Sequence, residues 1–321
     1  MHQTPRIVVA LGGNALQSRG GPDTAEAQLE VVKRTSEQIA KISTAGYEIA
    51  VVHGNGPQVG RLLLSSEAAK DITPVMPFDV IGAMSQGYIG YQLQQTLRFA
   101  LNLQNRNVPV VTIETQMVVE ESDPAFKNPT KPIGKFYTEE EAKVLEEEQG
   151  FLMREDAGRG WRRVVPSPMP KRIVEIDAVK VLWDHAIVIT CGGGGVPVIE
   201  RPDGHLEGVA AVIDKDFAAE LLAEEVEADI LIILTEVEKV FLDFNQPQQR
   251  ALDHVSLAEA AGYIEEGQFP PGSMLPKVEA AMKFVRANPD KKAIISSLDK
   301  AIDALEGRTG TLFTFSKPAQ G

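Results

Sequence analysis

Residues 186–199 read AIVITCGGGGVPVI. Apolar and β-branched residues lie on either side of four glycines, Gly192 to Gly195, the pattern of a buried strand, a sharp turn and a second extended segment. Glycine gives up more conformational freedom on folding than any other residue, and a tight turn needs only one or two. The surplus implies that side chains are missing so that backbone amides can come close to a ligand.

Working outward, the strand-then-glycine arrangement recurs. RIVVALGG (6–13) reads as a buried strand, and TAEAQLEVVKRTSEQIAKISTAG (24–46) carries apolar residues at helical spacing before stopping at Gly46. YEIAVVHGNGP (47–57) is a second strand. A helical region from Ile81 to Leu103, a strand VPVVTIET (108–115) and a helix from Ile176 to Asp184 lead back to the glycine run. Beyond it come GVAAVID (208–214), a helix at 215–226, DILIILTEV (229–237), a helix at 276–288, KAIISSL (292–298), a helix at 301–307 and TLFTF (311–315). Nearly continuous apolar strands alternating with helices predict an α/β fold, a three-layer αβα sandwich around a mainly parallel open sheet.

The alternation breaks between Val119 and Met169. There SDPAFKNPTKPIGKF, the acidic TEEEAKVLEEEQG and EDAGRGWRRVVPSPMP predict an inserted subdomain, with the glutamates on a solvated helix face and Arg159, Arg162 and Arg163 mostly structural. Two lobes sharing one sheet are expected: residues 1–210, with the insertion at about 119–169, and residues 211–321. No internal repeat or low-complexity tract interrupts them.

Composition narrows the function classes. In 321 residues with 43% hydrophobic and 24% charged content, the formal net charge is -13. Such a charge argues against nucleic acid or an anionic membrane as partner, since clustered lysine and arginine dominate those affinities. The single cysteine, Cys191, excludes an intrachain disulfide framework and reads as a buried strand residue rather than a nucleophile. No apolar run reaches the roughly 18 residues of a spanning helix, and a cytoplasmic, soluble protein is expected. The five histidines show no metal-ligand spacing. Neither GxxxxGK[ST] nor a GxGxxG opening the first βα unit is present, which disfavours P-loop and dinucleotide-binding chemistry.

Three glycine segments remain: LGGNA with Gly12, Gly13 and Asn14; HGNGPQVG with Gly54, Asn55, Gly56 and Gly60; and CGGGG. Each follows a strand, and in an open parallel sheet such loops share one edge. Backbone amides there can enclose a small anion. Lys215 in VIDKDF and Lys277 in GSMLPKVEAA stand where helices begin, with Pro276 suited to the first helical position. The macrodipole disfavours cations there, so an external anion such as phosphate is expected to compensate them. On the same reasoning, Lys277→Ala should leave folding unharmed. Asp214 is either a helix cap or a group that holds lysines, and Lys131, between prolines in NPTKPIG, would bring a third positive charge if its arm folds over the sheet edge.

The ordered blocks ALGGNA, HGNGPQVG, FKNPTKPIG, EDAGRGWR, VVPSP, CGGGG, VIDKD and PGSMLPKVEAA closely resemble the carbamate kinases of the amino acid kinase superfamily, over almost the whole chain. The resemblance implies the amino acid kinase fold, a homodimer, and reversible phosphoryl transfer between ATP and carbamate. In that family the reaction commonly runs towards ATP and closes arginine fermentation, the arginine deiminase pathway. The first lobe would bind carbamate or carbamoyl phosphate beneath a protruding subdomain, and the second would bind ATP or ADP with Mg2+ carried on the nucleotide phosphates rather than by a side-chain motif. Carried over by the same resemblance, Lys131, Lys215 and Lys277 would touch the phosphates and Asp214 would organise them. Gly12, Gly13, Asn14, Gly54, Asn55, Gly56, Gly192, Gly193, Gly194 and Gly195 would form the substrate cradle. The nucleotide would meet Lys215, Thr235, Glu236, Val237, Met274, Pro276 and Lys277. Glu236 departs from the Gly or Asp more common at its position. Two alternatives stand beside this reading: a related phosphotransferase with another small acceptor, and a catalytically silent nucleotide-binding sensor.

Overall fold

The computed structural model describes residues 4–17, 21–22, 24–156 and 158–316. The chain runs β1 (Arg6–Leu11), α1 (Ala25–Thr44), β2 (Glu48–His53), α2 (Gly56–Ala68), α3 (Phe78–Leu103), β3 (Val110–Thr112) and β4 (Gln116–Val119). Next come β5 (Lys131–Tyr137), α4 (Glu139–Gln149), β6 (Met153–Glu155), β7 (Trp161–Val165), β8 (Pro170–Ile173), α5 (Ile176–Trp183), β9 (Ile187–Ile189), β10 (Val196–Glu200) and β11 (Leu206–Gly208). The last part is α6 (Lys215–Glu225), β12 (Ile230–Thr235), β13 (Val240–Leu242), β14 (Arg250–Leu252), β15 (His254–Ser256), α7 (Leu257–Glu265), α8 (Met274–Ala287), β16 (Lys292–Ser297), α9 (Ala301–Leu305) and β17 (Thr311–Thr314).

Eight of these strands form one sheet in the order β15-β17-β16-β12-β1-β2-β9-β3. The pairs from β16 across to β3 are parallel, and the β16–β17 pair is antiparallel. The two-residue period of a strand explains the layers. Ile7, Val9 and Leu11 of β1 face a core built with Val32 and Ile39 of α1, Leu93 and Leu97 of α3 and Ala304 of α9. Val8 and Ala10 face the opposite core, with Val179 and Trp183 of α5, Leu222 of α6 and Phe284 of α8. The sheet is therefore covered on both faces, the three-layer arrangement expected from its continuous apolar strands.

Val119 of β4 lies opposite Pro170 of β8 in a second sheet, ordered β11-β10-β4-β8. The chain thus leaves and re-enters the body at neighbouring points. Between them lie a three-stranded sheet, β5-β7-β6, and α4, which starts in a capping box where Thr138 and Glu141 each bond the other's backbone.

Three sequence expectations need correction. VPVVTIET is not one strand: β3 stops at Thr112 and β4 begins in another sheet, because Thr115 is held between them, donating its N–H to Gln86 at 3.0 Å and bonding the Thr190 hydroxyl at 2.8 Å. GVAAVID is not a strand beyond Gly208, since its amides go to scattered acceptors, Val209 to the Pro197 carbonyl of β10, Ala211 to the Val209 carbonyl and Val212 to the Pro166 carbonyl, rather than to one neighbouring strand. Helix α8 begins at Met274, so Pro276 is its third residue rather than its first. The first four amides of a helix have no intrahelical acceptor, so proline is tolerated there too. No helix among the described residues is long and apolar enough to cross a membrane.

Candidate active site

Strands β12, β1, β2 and β9 are consecutive neighbours and parallel, so the loops after their carboxyl ends meet on one edge. Gly12 sits tight against the end of β12, donating its N–H to the Leu234 carbonyl at 2.9 Å, and the Asn14 amide donates to the Thr235 carbonyl at 3.1 Å. Gly13 is left exposed beside the cleft. After β2, Gly54 lies under the stem of Lys215, where a Cβ would stand 3.4 Å from Cδ. Asn55 is buried and donates its side-chain amide to the Ser85 hydroxyl at 2.8 Å.

The glycine run is explained chiefly by its protein neighbours. A Cβ on Gly192 would collide with the His53 ring, on Gly193 with the Asn55 side chain, and on Gly194 with the Ile213 carbonyl, while on Gly195 it would stand 3.0 Å from Met117 Cβ. Gly193, Gly194 and Gly195 also hold positive φ, a region that L side chains rarely enter. Three segments of chain close to backbone distance here, and of the four glycines Gly193 lines the cleft. His53, wholly buried, stays neutral, its pKa lowered to about 4 by desolvation. Cys191 beneath the run is also buried, which pushes its thiol up to about 12 and makes it inert.

The cleft encloses about 220 Å³, with Lys131, Asp214, Lys215, Asp216 and Lys277 on its wall. Asp214 caps α6, accepting the Asp216 N–H at 3.0 Å through one oxygen and the Lys131 ammonium at 2.7 Å through the other. Asp216 is the centre of the arrangement. Only 1% exposed, it bonds Lys215 at 2.5 Å through Oδ1 and Lys277 at 2.9 Å through Oδ2. Burial works against its charge, but the two ammonium groups outweigh that and hold its carboxyl well below the usual range. Burial lowers the pKa of Lys215. In Lys277 burial acts in the same sense, but the Asp216 carboxylate, with Asp214 and Glu236 behind it, leaves the ammonium more basic than an ordinary lysine. On the cleft wall itself three lysines stand against two carboxylates, and the first turns of α2 and α6 border the same space. Lysine ammonium groups held on a cleft wall are chemically suited to an anion.

The sequence profile of the Amino acid kinase family matches residues 5–296. The chain is 56% identical over 310 residues to the carbamate kinase of Clostridium perfringens, spanning 95% of this chain and 98% of that one. It is 53% identical over 312 residues to the carbamate kinase of Pyrococcus horikoshii, spanning 96% and 99%. Among solved structures, carbamate kinase from Giardia lamblia bound to AMP-PNP superposes with a TM-score of 0.90 at 43% identity, covering 98% of this chain and 99% of that one. The chain belongs to the carbamate kinases of the amino acid kinase family.

Against that family expectation, the site residues divide into groups. Lys131, Asp214, Lys215, Lys277, Gly13, Gly54, Asn55, Gly56 and Gly193 share the wall of one cleft. Gly12 and Asn14 tie the first loop to the end of β12, and Gly192, Gly194 and Gly195 lie behind the wall. Thr235 ends β12 and Glu236 and Val237 follow it, Glu236 within electrostatic reach of Lys277, while Met274 and Pro276 open α8.

Asp216 escaped the sequence reading. An acidic residue in the first turn of a helix is ordinary, and the second lysine it holds is 61 positions away. Gly272, at φ +71 on the cleft wall, was hidden in the same way by the common proline-glycine turn PPG. Among the described residues no group of three or more His, Cys, Asp or Glu side chains could hold a metal, and lysines already neutralise both aspartates of the cleft. A protein-held magnesium does not fit these donors.

Proposed function

We propose that the cleft carries out reversible phosphoryl transfer between ATP and carbamate, and that its working direction is ATP synthesis from carbamoyl phosphate and the magnesium complex of ADP. The observation that carries this reading is the Lys215–Asp216–Lys277 bridge facing Lys131 across a small, glycine-walled space. Phosphoryl transfer through a loose transition state asks for positioning and charge neutralisation rather than a covalent nucleophile. Lys215 and Lys277, held at fixed spacing by one carboxylate, can contact the equatorial oxygens of the moving group, and Lys131 can approach it from the other side. Carbamate is too small to be gripped by long side chains, so the backbone at the exposed Gly13 and Gly56, with buried Gly193 behind them on the wall, suits it. Magnesium enters as part of the nucleotide substrate.

The same reading places the reaction at the end of arginine catabolism in the cytoplasm, with residues 1–210 supplying the acceptor side and residues 211–321 the nucleotide side. It also expects a homodimer. The open edge at β3 and the exposed Met84 and Tyr91 of α3 beside it offer a face for a second copy. The test mixes purified protein with carbamoyl phosphate, ADP and magnesium and follows ATP. ATP formation that needs both substrates and the metal is expected. No ATP, in a buffer where a known phosphotransferase works, would sink the reading.

A further inference from the structure

Gly60 stands in the interior of α2, where glycine costs about 1 kcal/mol relative to alanine. It is buried, and a Cβ placed on it would lie 2.9 Å from both Cα and N of Gly134. Gly134 belongs to β5, the strand that begins with Lys131, and its φ of +72 bends that strand. The pairing of β5 with β7 is broken at this bend: Ile133 faces Arg163, and the next paired residue, Tyr137, faces Trp161. Arg162 braces the bend by donating to the Gly134 carbonyl at 3.1 Å. Just before it, Ile133 is 1% exposed and packs with Val59, Leu63, Val165 and Val212. The lysine arm is thus fastened to α2 by one apolar side chain and one backbone-to-backbone contact, three residues from Lys131. The same helix opens at Gly56 on the cleft wall.

We propose that Gly60 is a positioning residue: its bare Cα lets α2 and the Gly134 bend close to direct contact, and that contact sets how far Lys131 reaches over the cleft towards Asp214. The proposal rests on the phosphoryl-transfer reading above. Backbone at Gly134 cannot rotate out of the way as a side chain would, so alanine at 60 must push the arm off by at least 0.5 Å to restore an ordinary 3.4 Å contact. A misplacement of about 1 Å can cost about 10²-fold in rate.

The test is a double-mutant cycle on kcat for ATP formation, using the parent, Gly60→Ala, Lys131→Ala and the double variant. Gly262→Ala serves as control, because a Cβ at this α7 position meets nothing within 4 Å. Gly60→Ala should lower kcat about tenfold in the parent and by less than about twofold in the Lys131→Ala background, while Gly262→Ala retains the parent rate. Parent-level turnover in Gly60→Ala, or an equal fractional loss in both backgrounds, overturns the proposal. A parent that forms no ATP overturns the phosphoryl-transfer reading instead. If Gly60→Ala does not fold, Ile133→Val, which slackens the same fastening, enters the cycle. Its expected loss of about threefold must also vanish when Lys131 is alanine, and an unchanged rate or equal losses overturn the proposal.

Discussion

Lys277→Ala separates two accounts of one side chain. A cation at the start of a helix should leave without harm, but Lys277 is one of the two lysines that bond buried Asp216. Its removal leaves one oxygen of a carboxylate that is only 1% exposed without its ammonium partner, a loss of about 1–3 kcal/mol. The variant should therefore melt lower than the parent as well as turn over about 10²- to 10³-fold more slowly, the loss typical of one preorganised donor. Thermal melts beside steady-state kinetics check both halves, and parent-like melting would show that Asp216 does not depend on the pair. The pH sense follows from the lowered carboxyl of Asp216. Its contribution is complete above the unfolded carboxylate pKa and is lost as the pH falls towards the folded one. From the sequence, both lysines stood out because they broke a charge habit. Their carboxylate conformed to habit and drew no notice.

Helices α6 and α8 carry these lysines on their first turns and meet again one turn further along α6. There Glu220, with a fully buried side chain, bonds Lys283 at 2.5 Å through Oε2 and leaves Oε1 without a partner. Burial raises its pKa to about 7, with nearby Glu224 adding in the same sense and Lys283 opposing. Between the ordinary 4.5 and about 7 the folded protein holds a proton that the unfolded chain releases, so this group makes stability fall as pH rises across that window. His53, lowered from 6.5 to about 4 and neutral when folded, tilts the curve the other way below 6.5. Only a comparison of variants isolates the glutamate. Glu220→Gln should lose less stability than the parent between about pH 5 and about pH 8 in denaturant titrations, and parallel curves would remove Glu220 from the account. At this scale the alternation of strands and helices was legible because period and burial agree. The end of the VPVVTIET strand at Thr112, with a strand of another sheet starting at Gln116, was not legible, since Thr115 turns the chain through contacts with Gln86 and Thr190, 29 and 75 residues away. The glycine run was legible as a place of close approach, but sequence spacing does not distinguish a ligand from His53, Asn55 and Ile213 as the approaching body.

Across the whole molecule the eight-stranded sheet draws its neighbouring strands from distant parts of the chain. β1 lies between β2 and β12, pairing Val8 with Ala50 on one side and with Leu231 on the other. A ribosome would therefore release β1 and β2 long before it reaches Ile230. Throughout that interval one side of β1 presents a row of unpaired amides and carbonyls between fully apolar faces, the kind of edge that seeks strands from other chains. A chain stopped at residue 210 should keep that exposure permanently and sediment as aggregate, whereas the full chain stays dispersed. Light scattering of the two after dilution from denaturant compares them, and a clear, folded fragment would refute the expectation. Order of synthesis thus makes the first strand made wait for one of the last, and the nascent chain depends through that wait on whatever the cell provides to shield an open sheet.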